Sequence, residues 1–369
     1  MTGVGVIGAG VISGIYLKNA ASLTPFEVVA VADLSPERAR TQAAEYGVRH
    51  VLTPEELLAH PEVEVVLNLT VPSAHAAVTR SALEAGKHVY GEKPLALTRE
   101  DGLALVNLAE ARDLRLGSAP DTFLGAGLQT CRQLIDEGAI GQPLAATAFM
   151  LSHGVEAWHA SPDFFYQPGA GPMFDMGPYY LTALISLLGP VRTVTGQATS
   201  GFQERTITTA QRYGERIPVG TPTHVTALLG FESGVAATLI TSFDVWHAQV
   251  PRIEIYGSEG TLSLPDPNTF GGPVQLRLAQ DKAWREVPLA RPYALNSRGL
   301  GLSDLISSVH ENRGPRASGR LALHVLDAMQ STLESAEAGR TLTLTTTAER
   351  PEPLQTMGGD ALDPSAGRA

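Results

Sequence analysis

"GVGVIGAGVISG", residues 3–14, opens the chain with an apolar run that closes on glycines. A run of this kind reads as a buried strand entering a tight turn, and "VISGIYLKNAASL" (11–23) then has helical spacing. Gly8-Ala9-Gly10-Val11-Ile12-Ser13 matches G-x-G-x-x-G except at the third glycine. Each site has a physical task. Gly8 permits the turn, Gly10 lets the backbone approach a pyrophosphate, and the free N–H groups that start the helix favour negative charge. The third site needs a small residue for helix–strand packing, which Ser13 supplies with Gly14 beside it.

Outward from this stretch the pattern alternates. "FEVVAVAD" (26–33) is a second strand that ends in Asp33, 23 positions after Gly10. A carboxylate there accepts from both ribose hydroxyls and repels a 2′-phosphate, which favours NAD over NADP. Arg38 is either a solvated helix position or a device that softens that preference. "SPERARTQAAEYG" (35–47) has Ser35 as N-cap, Pro36 at the first helical position and Gly47 as the stop, and Thr53 with Glu56 forms a capping box. The strands "VEVVLNLTV" (63–71), "KHVYGEK" (87–93) and "LRLGS" (114–118) alternate with helices "AHAAVTRSALEAG" (74–86) and "TREDGLALVNLAEAR" (98–112). Such alternation predicts a parallel, doubly wound sheet.

The 369 residues predict two domains, and 43% hydrophobic with 18% charged residues suits a soluble protein with a sizeable core. The net charge of −11 argues against nucleic acid or an anionic membrane as partner. No apolar run reaches membrane-spanning length, and a strand begins almost at once, leaving no room for a signal peptide; with Cys131 alone, no internal disulfide forms. A cytoplasmic protein is expected. Ten scattered histidines without Cys/His spacing predict no metal site.

Beyond "GAIGQP" (138–143) the pattern changes to strands with short turns. Hairpins are expected to turn at Glu232–Gly234, Gly257–Gly260 and Asp281–Lys282. The last helices, within 301–313 and 320–339, should pack back on the first domain. The expected division is a dinucleotide-binding domain at 1–122, a substrate and oligomerisation domain at 123–350 and a loosely held tail at 351–369.

Two stretches carry chemistry. Lys93, in "HVYGEKPLAL" (88–97), stands where ligands meet such sheets, though any lysine can be a solvated one. In "GPMFDMGPYY" (171–180), Asp175 can be the helix N-cap with Pro178 in the first turn. Alternatively Asp175 and Tyr179, at i and i+4, share a helix face toward one substrate. Trp158 offers an apolar platform to a sugar face or covers a core. His159 offers a titratable donor, while Arg298 and Asp304 either reach the same cleft or form a structural ion pair.

With "GVIGAGVIS" (5–13), "NLTVPSAHAAV" (68–78), "SALEAGKHVYGEKPLAL" (81–97), "GAIGQP" and "GPMFDMGPYY" together, the chain resembles the Gfo/Idh/MocA family (glucose–fructose oxidoreductase, inositol dehydrogenase, rhizopine catabolism) to about residue 350. The resemblance implies a Rossmann domain followed by an α+β domain with a large, mostly antiparallel open sheet. It implies Lys93, Asp175 and Tyr179 as the catalytic group, with tyrosine where the commoner residue is histidine. It implies cofactor contacts at Gly8, Gly10, Val11, Ile12, Asp33, Thr70, Pro72, His75, Glu92 and Lys93; His75 is otherwise a helix-surface residue. Asp121 and Thr122 stand where many members have arginine or asparagine, so Thr122 joins Trp158 and His159 as a substrate candidate. The expected reaction is hydride transfer between NAD (NADP possible) and an alcohol or ketone of a sugar, cyclitol or sugar derivative. Tyr179 would move the proton and Lys93 would lower its pKa. Alternatives are an NAD-recycling glycosidase or lyase and a non-catalytic sensor. A homodimer or homotetramer through the C-terminal sheet is expected.

Overall fold

The computed structural model describes residues 1–289 and 291–354. The first domain alternates β1 (Thr2–Ile7), α1 (Ser13–Ala20), β2 (Phe26–Ala32), α2 (Pro36–Tyr46), β3 (His50–Leu52), α3 (Pro54–Ala59), β4 (Val65–Asn68), α4 (Pro72–Glu84), β5 (His88–Gly91), α5 (Arg99–Ala111) and β6 (Leu116–Ser118). The strands form one parallel sheet in the order β3-β2-β1-β4-β5-β6. β1 and β4 are buried along their whole length, as a sheet covered on both faces requires. The caps are those read from sequence: Ser35 accepts from the Arg38 N–H, Thr53 and Glu56 close a reciprocal box, and Gly47 stops α2 in the left-handed region at φ 70°. β3 escapes the pattern because three half-exposed or exposed residues show no apolar run.

A 3₁₀ turn at Thr122–Leu124 leads through α6 (Ala126–Asp136) to β7 (Pro143–Leu151), α7 (Gly171–Leu188) and β8 (Val191–Thr199). A small ribbon, β9 (Glu204–Thr206) with β10 (Arg216–Pro218), stands apart. Then follow β11 (His224–Phe231), β12 (Ala236–Ser242), β13 (Ile253–Gly257), β14 (Gly260–Leu264), β15 (Val274–Leu278) and β16 (Arg285–Val287). α8 (Leu300–His310), α9 (Gly319–Ala338) and β17 (Leu342–Thr343) complete the described chain. The large sheet runs β16-β15-β14-β13-β7-β12-β11-β8-β17, and only the β7–β12 pair is parallel. The three hairpins turn where expected. Cys131 is fully buried on α6, and burial pushes its thiol well up, so it is an inert packing residue.

α7 packs on β7, β11 and β12 of the large sheet, while α9 packs on α7 and β8 on one side and on α5 and β6 on the other. α8 lies against β5 and β6. The last helices therefore do return to the first domain. Their anchor is Asp327, buried on α9. It accepts from the N–H groups and hydroxyls of Thr345 and Thr346 and from Ser331, and the Arg99 guanidinium of α5 approaches it at 2.7 Å. The tail begins later than expected. Arg132 donates to the Pro351 carbonyl, Arg316 to those of Glu352 and Pro353, and Leu354 N–H to Gln129, so residues 351–354 are tied down. The rest of that tail lies outside the described residues.

Burial alone would raise the Asp327 carboxyl, but the Thr346 and Ser331 bonds and Arg99 outweigh it and hold it below the ordinary range. Its stabilisation is complete above the unfolded value of about 3.9 and fades as pH falls through the lower folded value. Asp327→Ala, which leaves Arg99 to Glu334 and Ser331 and unpairs the Thr345–Thr346 segment, should cost about 1.5–3 kcal/mol in urea unfolding at neutral pH. A loss below 1 kcal/mol (roughly the worth of one exposed pair) would show the anchor to be dispensable.

Candidate active site

The first half of the site lies at the carboxyl ends of β1, β2 and β4. Gly8 has φ 107°, and a Cβ there would fall 2.6 Å from the Leu69 backbone, so only glycine fits the turn. A Cβ at Gly10 would meet nothing within 4 Å, leaving open space over the turn. Ser13 replaces the third glycine without loss: it is buried, and its hydroxyl donates to the Gly10 carbonyl at 2.7 Å. No side chain caps α1, and the Ser13 N–H donates to the Gly10 carbonyl at 3.1 Å. Asp33 accepts from Ala9 N–H and Ser35 N–H, both at 2.7 Å, which fixes β2 to the glycine turn. Arg38 is not solvated alone; it forks onto Asp33 Oδ1 at 2.8 and 3.2 Å. Val11, Leu34 and Val71 stand exposed around this crevice, with Thr70 and Pro72 beside Val71.

The second half joins β5 to α7. The N-cap reading of Asp175 is overturned: α7 starts at Gly171 after Ala170, with Pro172 in its first turn, so Asp175 is a full turn inside and Pro178 lies in the helix interior. Pro178 removes the N–H that would bond the Phe174 carbonyl. Every residue of α7 is buried except Asp175 and Met176. Into that single opening comes Lys93, whose Nζ donates to Asp175 Oδ1 at 2.9 Å and to the Asp175 carbonyl at 2.6 Å. The same Nζ lies 5.2 Å from the Tyr179 ring centre. The i, i+4 spacing thus brings acid and phenol to one ammonium.

Burial would lower the Lys93 pKa, but Asp175, Tyr179 and Glu92 more than offset it, so the ammonium is held above its usual range. For Tyr179 burial wins: the phenol is raised above 10.0 although Lys93 and Arg298 pull it down, and Glu92 adds to the rise. Lys93 does lower this phenol, as expected, but burial outweighs it. Glu92 accepts from Tyr16 of α1 at 2.8 Å and from Lys93 N–H at 3.0 Å. Arg298 does not pair with Asp304, which belongs to Arg313 and Arg316. Its guanidinium instead donates to Asn268 Oδ1 at 2.7 Å and Asn296 Oδ1 at 2.9 Å, and its charge works to lower the Tyr179 phenol.

Other candidates stand elsewhere. His75 is buried with Nδ1 2.7 Å from the Pro94 carbonyl and Nε2 2.9 Å from the Thr70 carbonyl, one of which the neutral ring bonds through its single N–H, so it sits between two turns rather than facing the crevice. Thr122 is buried in its 3₁₀ turn. Neighbouring Asp121 accepts from Gly299 and Gly301 N–H groups, and burial raises its carboxyl to about 6. Trp158 is exposed and edges onto His159, which packs against Phe164 and Phe165 and accepts from Ser161 N–H. Their loop is pinned by buried Arg205, paired with Glu156 and Asp244. Among the described residues no group of three or more His, Cys, Asp or Glu could hold a metal, and no helix is long and apolar enough to cross a membrane.

A parallel sheet with a glycine turn, an acid closing β2 and a lysine after β5 defines a dinucleotide-binding oxidoreductase fold. Residues 2–119 match the oxidoreductase family with the NAD-binding Rossmann fold, and residues 128–263 match the GFO/IDH/MocA C-terminal domain. The chain belongs to the Gfo/Idh/MocA family of oxidoreductases. It is 28% identical to 1,5-anhydro-D-fructose reductase of Ensifer adhaerens, over 91% of this chain and 96% of the relative. It is 29% identical to inositol 2-dehydrogenase 3 of Saccharopolyspora erythraea, over 77% and 79%. Levoglucosan dehydrogenase, solved with NADH and L-sorbose, superposes with a TM-score of 0.80 at 20% identity, covering 94% of this chain and 99% of that one.

Tyr180 provides an internal control for its neighbour. It is buried, and its hydroxyl donates to the Phe149 carbonyl of β7 at 3.2 Å, away from Lys93. Tyr180→Phe should cost about 0.5–1.5 kcal/mol of stability, the worth of one hydrogen bond, while leaving ligand binding alone. Thermal unfolding with and without NAD checks both parts; a change in NAD affinity would contradict the placement.

Proposed function

We propose that the protein is an NAD(P)-dependent oxidoreductase that interconverts a secondary alcohol and a ketone on a sugar, cyclitol or sugar derivative. The observation that carries this reading is the meeting of Lys93, Asp175 and Tyr179 beside the dinucleotide crevice. The substrate class follows the names of the relatives, an anhydrofructose reductase and an inositol dehydrogenase. The half-exposed outer face of the large sheet, with Phe149, Leu228 and Ile240, is where a second copy would pack.

The crevice fits a dinucleotide. Open space over Gly10 and the uncapped start of α1 suit the pyrophosphate, Asp33 suits ribose hydroxyls, and the exposed Val11, Leu34 and Val71 would gain cover. When bound, the dinucleotide takes up or gives the hydride that no side chain can carry. Tyr179 takes the hydroxyl proton as phenolate in oxidation and returns it as phenol in reduction. Lys93 stabilises the oxyanion developing on the substrate oxygen, and Asp175 fixes the ammonium through two oxygens.

Cofactor choice tests the crevice. Asp33 favours NAD, but the paired Arg38 offers a guanidinium where a 2′-phosphate would sit. Asp33→Ser should lower the NAD/NADP ratio of kcat/KM by roughly tenfold or more, and Arg38→Ala should raise it. Ratios unchanged in both variants would take ribose recognition away from Asp33.

The chemistry is tested by following NADH absorbance against a panel of sugars, inositols and their keto forms. On the best substrate, Tyr179→Phe and Lys93→Met should each lower kcat by roughly 10²–10⁴-fold while sparing fold and NAD affinity. Near wild-type turnover in Tyr179→Phe would pass the proton role to another group, with His159 the first to examine.

A further inference from the structure

We propose that Glu92, held in place by Tyr16, is the anion that makes the crevice bind the oxidised dinucleotide in preference to the reduced one. This rests on the crevice as the dinucleotide site and on Lys93 marking its reacting end, not on Tyr179 moving the proton. Three observations single Glu92 out. First, it is tied across the point where the strand order reverses, between β1 and β4. Tyr16 sits on α1, which follows β1, while Glu92 follows β5, and β4 lies between those two strands. The Tyr16 hydroxyl spans that gap and donates to Glu92 Oε1 at 2.8 Å. A dinucleotide passing from one half of such a sheet to the other crosses the same line. Second, the carboxylate is held at both oxygens, since Oε2 accepts from the Lys93 N–H at 3.0 Å. The Glu92 N–H is in turn fixed on the Asn68 carbonyl at 2.9 Å. Third, both of its donors are neutral, and among the described residues no lysine, arginine or histidine lies within ion-pair distance of it.

The neighbouring charges come in opposites. Asp33 holds Arg38, Asp175 holds Lys93, and Asp121 accepts from the N–H of Gly299, the residue directly after Arg298. Glu92 is the unmatched one, half-buried beside Lys93. Tyr16 stays a donor, because burial and Glu92 itself hold its phenol well above the usual range. A fixed, half-buried charge acts through a lower effective dielectric than water, so it separates ligands that differ by one charge. The two forms of the dinucleotide differ in this way: the nicotinamide ring is a cation when oxidised and neutral when reduced. Their adenosine and pyrophosphate parts are identical, so Gly8, Gly10 and Asp33 cannot tell them apart. Lys93, the next residue in the chain, stands where hydride is exchanged, which puts Glu92 at the ring's end of the crevice. A site that holds the oxidised form more tightly makes the reduced form a better hydride donor, and so favours ketone reduction.

The test measures binding and needs no turnover. Wild type, Glu92→Gln and Tyr16→Phe, each as the whole protein, are titrated with NADH by fluorescence and with NAD⁺ and ADP-ribose by calorimetry. ADP-ribose lacks the nicotinamide and reports on the rest of the crevice. Glu92→Gln keeps the size of the side chain and removes its charge. It should weaken NAD⁺ roughly 10–100-fold, move NADH by less than about threefold and leave ADP-ribose unchanged. Tyr16→Phe keeps the charge but frees the carboxylate, and should shift the NAD⁺/NADH Kd ratio the same way by roughly 2–5-fold. Equal losses for the two forms in Glu92→Gln would make Glu92 an ordinary contact and overturn the proposal, as would an unchanged ratio. Should Glu92→Gln fail to fold, Glu92→Asp takes its place. Its retained charge must then keep the wild-type preference while Tyr16→Phe weakens it, and either result reversed overturns the proposal. If ADP-ribose does not bind the wild type, the crevice reading itself falls; if it binds and the ratio stays put, only Glu92 loses its role.

Discussion

The contact between the Lys93 ammonium and the Asp175 turn of α7 is where the two domains become one site. Lys93 belongs to the strand series that builds the crevice, and Asp175 to a helix buried in the second domain. An ammonium taken this far from water needs compensation, and the carboxylate alone supplies part of it. The Asp175 carbonyl supplies more, in a helix whose hydrogen-bonding is already broken nearby by Pro178. The proline that looked like a cap signal thus belongs to the helix's mid-course loosening. Burial of all the surrounding α7 positions then confines Lys93 to one place.

Holding that contact requires the domains not to slide. Three ties cross between them at different heights: Arg99 to Asp327, Asn19 to the Arg298 loop, and Asp121 to the start of α8. Each joins a charged or amide side chain to a backbone group or an opposite charge with little water, where such bonds are directional. A displacement of α9 or of the 296–301 loop therefore moves the groups facing Tyr179, although neither α8 nor α9 carries a reacting group.

What could be read from sequence was local. Caps at Ser35 and Thr53, the glycine turn, hairpins and the period-two strands depend on neighbours within a few positions, and each was found as expected. Lys93, Asp175 and Tyr179 were legible because β5 ends at a defined place and because i, i+4 spacing names a helix face without knowing what it faces. Asp175 was misread as a cap because Gly171 and Pro172 start the helix a turn earlier, a choice set by packing of α7 in the core. His75 and the pairing of Arg298 with Asp304 were misjudged for one reason. The partners found, the Pro94 carbonyl and the Asn268 amide, are fixed by tertiary geometry, and a polar side chain looks the same in sequence whether it meets water or a buried oxygen.

Tyrosine in place of histidine has an electrostatic consequence that ties these observations together. A buried imidazole needs little help to exchange a proton near neutrality, whereas a buried phenol starts near 10.0 and is driven further up. One lysine, already neutralised by Asp175, cannot reverse that rise. The Lys93 and Arg298 charges pull the phenol down without overcoming its burial, so position 179 holds a protonated phenol near neutral pH until further positive charge enters the crevice.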